Sequence, residues 1–156
     1  MKIAIGSDHG GYRLKEELKS VLADLDVEIE DVGCDCTDSV DYSDYALPVA
    51  SKVASGEVER GILICGTGIG MSISANKVPG IRCAVVTDTF SARMSREHNN
   101  ANVLALGERV TGPGLAADIV KIWLQTAFAG GRHERRVNNI HDIERQPGEL
   151  ACRRRG

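Results

Sequence analysis

Long apolar runs are missing from this 156-residue chain. The most apolar stretch, Gly61–Cys65, falls far short of the roughly 20 residues a membrane helix needs, so no membrane span is expected. Aromatic residues are few, at 4%, beside 42% apolar and 26% charged residues, the balance of a soluble globular protein. No internal repeat or low-complexity linker divides the chain, and its length is that of one ordinary domain. Such a chain buries roughly 68–70% of its unfolded surface, so neither a disulfide nor a metal staple is needed. The five cysteines, Cys34, Cys36, Cys65, Cys83 and Cys152, form no C-x-x-C pair or zinc-ligand ladder. The opening Met1–Gly6 has an apolar core too short for a secretory signal. A reduced, cytoplasmic compartment is therefore expected.

Lysine is absent from residues 132–156, which hold seven arginines against four acids, whereas residues 1–60 hold 14 acids against six bases. Clustered arginine in an otherwise acidic chain suits a compact anion better than a nucleic acid backbone. Residues 1–146 are expected to form one domain, and the Arg-rich segment 147–156 a flexible tail. Arg132 and Arg136 are spaced i, i+4, so one helical face can aim both guanidinium groups at one phosphate. A surface face paired with Glu134 and Asp142 is the alternative.

Short β-branched runs alternate with longer amphipathic segments, the pattern of βα units around a parallel sheet. Strands are expected at Lys2–Gly6, Val27–Val32, Gly61–Cys65, Ile81–Thr87 and Val103–Leu106. Helices are expected at Tyr12–Leu25, Ser43–Ser55, Gly68–Lys77, Thr89–His98, Pro113–Phe128 and Arg132–Arg145. The fold class is α/β, a three-layer α/β/α Rossmann-like domain with a mostly parallel sheet of about five strands. Such sheets bind ligands beyond the carboxyl ends of their strands, at a switch in strand order.

The residues at those ends carry the chemistry. Ser7-Asp8-His9-Gly10-Gly11 ends the first strand, and its two glycines allow close backbone approach. Asp8 is either a helix N-cap or a polar ligand group beside His9. Cys65-Gly66-Thr67-Gly68-Ile69-Gly70 ends the third. Its glycine-rich turn into a helix presents N–H groups to an anion. It is neither a Walker A loop nor the G-x-G-x-x-G fingerprint. A thiol at that position is either a favoured thiolate or a small buried hydrophobe. His98-Asn99-Asn100-Ala101-Asn102 closes a helix, as a C-cap or as ligand groups.

Together with Asp41-Tyr42, Gly107-Glu108-Arg109-Val110 and Gly131-Arg132-His133-Glu134-Arg135-Arg136-Val137, these motifs closely resemble the type B ribose-5-phosphate isomerases. The match runs in order from residue 1 to about residue 145. The resemblance implies an aldose–ketose isomerase with no metal and no cofactor. It also implies a homodimer, or a tetramer built from it, with active sites at the subunit interface. By the same resemblance Cys65 is the base moving a proton between C1 and C2, with Thr67 as its hydrogen-bonding partner. The amides of Gly66, Thr67, Gly68, Ile69 and Gly70 match the anion hole. His98 matches the acid of ring opening, and Asp8 and Tyr42 lie near the sugar hydroxyls. His9, Arg132 and Arg136 match the phosphate set, and Asn99 and Arg109 match contacts drawn from the neighbouring subunit. The implied substrate is a phosphorylated sugar: ribose 5-phosphate and ribulose 5-phosphate first, with tetrose 4-phosphate, allose 6-phosphate or galactose 6-phosphate as alternatives. A non-catalytic module is the rival of another class. A receiver domain, however, needs an Asp where Cys65 stands, and a flavodoxin a Ser/Thr-rich loop where Asp8-His9-Gly10-Gly11 stands.

Overall fold

A computed structural model describes residues 1–145; the boundary expected at 146/147, the tail and Cys152 lie outside the described residues. The strands are β1 (Lys2–Ser7), β2 (Glu28–Asp31), β3 (Arg60–Cys65), β4 (Cys83–Val85) and β5 (Val103–Gly107). The helices are α1 (Tyr12–Ala23), α2 (Tyr42–Ala54), α3 (Ile69–Ala75), α4 (Thr89–Glu97), α5 (Pro113–Gln125) and α6 (Arg132–Arg145). The strands form one sheet of order β2-β1-β3-β5-β4, and every pairing is parallel.

The pleat sorts the strand residues onto two faces. Ile3, Ile5, Ile62, Ile64, Leu104 and Leu106 pack in one cluster with Leu14, Leu18 and Leu22 of α1 and Ile119, Val120 and Trp123 of α5. Ala4, Leu63, Cys65, Val103 and Ala105 join Ala46, Val49, Ala50 and Val53 of α2 and Met71 and Ala75 of α3 in a second cluster. Helices thus cover both faces, as an all-parallel sheet requires. The approach of α2 is close: a Cβ on Gly61 would stand 2.6 Å from Val49.

Two of the elements that are shorter than their sequence pattern suggests have a visible local cause. β4 covers Cys83–Val85 only, because the Ile81 amide is engaged in a turn with the Val78 carbonyl and β4 is an edge strand pairing with β5 alone. α5 stops at Gln125, where Thr126 turns extended. The Arg60 guanidinium takes the Trp123 and Leu124 carbonyls at 2.9 Å each, satisfying carbonyls that a continuing helix would have used.

The chain leaves β1 towards β2 on one side and leaves β3 towards β4 on the other. This divergence opens a crevice beyond the carboxyl ends of β1 and β3, where a ligand is expected. Asp8 follows β1 there and Cys65 ends β3.

Candidate active site

Cys65 is buried at 5% exposure, held at the end of β3 by the apolar run before it. The Gly68 amide donates to its Sγ at 3.1 Å. Gly68 reaches that position with φ +79°, a left-handed conformation open to glycine at little cost. The Thr67 hydroxyl, expected to partner Cys65, instead accepts from the Ile69 amide at 3.3 Å, and its own proton stays available to a ligand.

The loop after β1 lies against the loop after β3. A Cβ on Gly10 would stand 3.2 Å from the Gly66 nitrogen, so glycine at position 10 allows the two backbones to meet. Asp8 is buried and its Oδ1 accepts from the Gly10 amide at 2.8 Å. Its carboxylate therefore closes a local turn; the residue capping α1 is Gly11, with no side-chain cap. Burial pushes the Asp8 carboxyl above the usual carboxylate range, against the opposing pull of the Gly10 amide, His9, the Gly11 amide and Arg109. His9 is oriented by the Val40 amide, which donates to Nδ1 at 3.2 Å. In the neutral ring Nε2 then carries the proton and is a donor for an anion.

Tyr42, at the start of α2, lays its ring against Gly70, with ring atoms about 3.0 Å from where a Gly70 Cβ would be. The Arg109 side chain runs beside Gly66, 3.5 Å from the corresponding Cβ position. Glu108 belongs to the Gly107-Glu108-Arg109-Val110 motif, but the sequence assigns it no role. Its Oε2 accepts from the Leu14 amide at 3.0 Å, and its own amide donates to the Cys65 carbonyl at 2.9 Å. It therefore ties the start of α1 to the ends of β3 and β5, through a contact between residues far apart in the chain.

His98, Asn99, Arg132 and Arg136 form a second group elsewhere. Helices α4 and α5 run back from the carboxyl ends of the strands, so His98 and the start of α6 lie at the opposite end of the sheet from Cys65. The His98 and His133 rings stack, with centroids 4.2 Å apart and planes 6° apart. Arg132 Nε donates to His133 Nε2 at 3.3 Å. Among the described residues no ion pair joins Arg132 or Arg136 to a carboxylate, and neither Glu134 nor Asp142 neutralises them. Of the asparagines, Asn100 accepts from Arg96 at 3.0 Å. Asn102 accepts from the Arg82 amide at 2.8 Å and donates to the Gly80 carbonyl at 2.9 Å. Those two are structural. The Asn99 side chain is exposed.

Asp8, His9, Tyr42, Cys65, the Gly66–Gly70 loop and Arg109 are thus brought together, and His98, Asn99, Arg132 and Arg136 are held apart from them. Arg109 and Asn99, expected from the same neighbouring subunit, sit in different groups. No hydrogen bond or ring contact among the described residues joins the two. No cluster of three or more His, Cys, Asp or Glu suited to a metal ion occurs among the described residues, and none of their helices is long and apolar enough to cross a membrane.

Residues 3–140 match the family model described as Ribose/Galactose Isomerase. The chain is 50% identical to ribose-5-phosphate isomerase B of Escherichia coli, over 93% of this chain and 97% of that protein. It is 44% identical to the D-erythrulose-4-phosphate isomerase of Pectobacterium atrosepticum, over 94% of this chain and 97% of that protein. The solved structure of Clostridium thermocellum ribose-5-phosphate isomerase B superposes with a TM-score of 0.92 at 60% identity, covering 93% of this chain and 98% of that one. The chain belongs to the ribose/galactose isomerase family, and it is a sugar-phosphate isomerase of the ribose-5-phosphate isomerase B type.

Proposed function

We propose that the chain interconverts ribose 5-phosphate and ribulose 5-phosphate at sites assembled between two copies. The observation that carries the chemistry is the Cys65 sulfur under the Gly68 amide, at the mouth of the β1/β3 crevice. The observation that carries the pairing is the placement of His98 and the α6 arginines at the other end of the sheet. A second copy, turned end for end, supplies its His98, Asn99, Arg132 and Arg136 to the first copy's Cys65 loop. Ile69 and Ile73 on α3 and Tyr42 beside the loop are exposed, an apolar surface suited to being covered by that copy.

In the forward direction His98 gives a proton to the ring oxygen as the bond from C1 to that oxygen breaks. The C1 hydroxyl passes its proton to Asp8, leaving the open-chain aldehyde. The Cys65 thiolate takes the C2 proton, and the electron pair moves through C1 to O1 as an enediolate. The backbone N–H groups of the Gly66–Gly70 loop that are not engaged with Cys65 and Thr67 are the donors for this charge, and one such donor typically contributes about 10²–10³-fold in rate. A proton passes from O2 to O1, the thiol returns its proton to C1, and the ketose results. His9, Arg132 and Arg136 hold the phosphate, which does not react; they place C1 and C2 against the sulfur. Tyr42, Asn99 and Arg109 line the sugar hydroxyls. A site that depends on a free thiol suits the reduced, cytoplasmic setting expected from the cysteine pattern, and Cys34, Cys36, Cys65 and Cys83 are all free.

The 44% identity to a D-erythrulose-4-phosphate isomerase favours a second reading, in which a four-carbon sugar phosphate is the substrate. Parallel kcat/KM measurements on tetrose, pentose and hexose phosphates separate the two. The pentose phosphate is expected to give the highest value; a higher value for the tetrose transfers the assignment. For the pairing, Cys65→Ala and His98→Asn, each inactive alone, should regain activity when their subunits are exchanged into mixed dimers, since one of the two sites is then intact.

A further inference from the structure

His133 has no part in the chemistry set out above, yet its ring packs directly against that of His98. It is buried at 7% exposure, at the first turn of α6. The chain enters that turn through two left-handed glycines, Gly130 with φ +62° and Gly131 with φ +54°. The Ala129 amide donates to the Glu97 carbonyl at 3.1 Å, fastening the start of α6 to the end of α4. Val137, one turn further on, is buried beneath the helix. The result is the parallel stack of the His98 and His133 rings, 4.2 Å between centroids.

The hydrogen bond from Arg132 Nε falls on His133 Nε2. A ring nitrogen that accepts carries no proton, so this bond fits the neutral tautomer protonated on Nδ1, whose buried Nδ1 has no hydrogen-bond partner among the described residues. Burial holds its titration below the ordinary histidine range, and His98, Arg132 and Arg136 add to that, with Glu97 alone opposing. A second imidazolium directly beneath His98 would repel the proton that His98 must carry. A neutral ring in the same place offers a flat surface without that repulsion.

We propose that His133 is a positioning residue for His98. It fixes the plane of the His98 ring by stacking and, through Arg132, joins the ring-opening acid and the phosphate-binding arginines into one rigid unit. This rests on the reading of His98 as the acid of ring opening.

The test separates ring opening from proton transfer. Ribulose 5-phosphate has no furanose form, because its O5 carries the phosphate. Exchange of its C1 proton with deuterium oxide, followed by NMR, therefore reports the thiol step without His98. A displaced acid can cost about 10²-fold. His133→Ala should lower ribose 5-phosphate turnover by about that factor while C1 exchange stays within about twofold. His133→Phe, which keeps a flat ring, should recover most of the turnover. Unchanged turnover in His133→Ala, or equal loss in both assays, overturns the proposal; retained C1 exchange certifies that the variant is folded. His98→Asn is measured alongside. If it too leaves ribose 5-phosphate turnover intact, the reading of His98 fails. If it loses turnover and His133→Ala does not, only the positioning role fails.

Discussion

The Gly68 amide points at the Cys65 sulfur from 3.1 Å, and that single bond links the backbone conformation of the glycine loop to the reactivity of the thiol. A thiolate accepts such a bond more strongly than a thiol does. The geometry depends on φ +79° at Gly68 and on a close approach to the Leu106 backbone, 3.1 Å from the Cβ position.

Gly68→Ala should therefore impair function more than stability. The left-handed conformation costs an alanine about 1–2 kcal/mol, read as a shift in the denaturant midpoint. kcat should fall by at least tenfold, because the amide can no longer keep its aim at the sulfur. A variant with unchanged kcat would show that the Gly68 bond is incidental.

The ends of β2 and α1 are joined by a buried ion pair. The Lys15 ammonium is fully buried and reaches the two oxygens of Asp31 at 2.9 and 2.6 Å, with Glu16 at 3.0 Å. Removing one partner of a buried pair typically costs about 3–5 kcal/mol; with Asp31 partly exposed and Glu16 still present, Asp31→Asn should cost about 2 kcal/mol or less, read from the denaturant midpoint. Burial raises the Asp31 carboxyl, but the bonds from Lys15, Lys19 and the Gly33 amide outweigh it, and the net shift is downward. The group is thus more acidic folded than unfolded. Its contribution is complete above the unfolded value of about 3.9 and is lost as pH falls through the lower folded value. Wild-type stability should fall across that acid window, and Asp31→Asn should fall less steeply.

Arg136 makes no ion pair with a described carboxylate, and its proposed partner is the substrate phosphate. Arg136→Ala should raise KM for ribose 5-phosphate by about tenfold or more, with kcat less affected, as the loss of a uniform binding contact requires. Its affinity for inorganic phosphate as an inhibitor should fall in parallel. An unchanged KM removes the phosphate role.

Much of this was legible in the sequence, and the reasons are local. Alternating Ile and Leu in β1, β3 and β5 and the stripe of Leu14, Leu18 and Leu22 on α1 are periodic signals that depend on nearest neighbours. The strand-end motifs at Asp8 and Cys65 fall where a doubly wound sheet places ligands. Other features are set by tertiary contact. Glu108, not Asp8, reaches the start of α1, across a separation of 94 residues. The partner of Cys65 is a backbone amide, set by the conformation of Gly68 and not by the identity of Thr67. His98 and Arg132 belong with Cys65 by motif, yet the direction of α4 and α5 carries them to the far end of the sheet. His133 gains its place from a stack between two helices, which neither helix's own sequence encodes.

The central claim is that the Cys65 thiolate moves the proton between C1 and C2, and Cys65→Ala tests it most directly. Turnover of ribose 5-phosphate and C1 exchange of ribulose 5-phosphate in deuterium oxide should both be abolished, while sugar-phosphate binding measured by calorimetry stays within a few-fold of the wild type. Retained exchange in that variant would contradict the account.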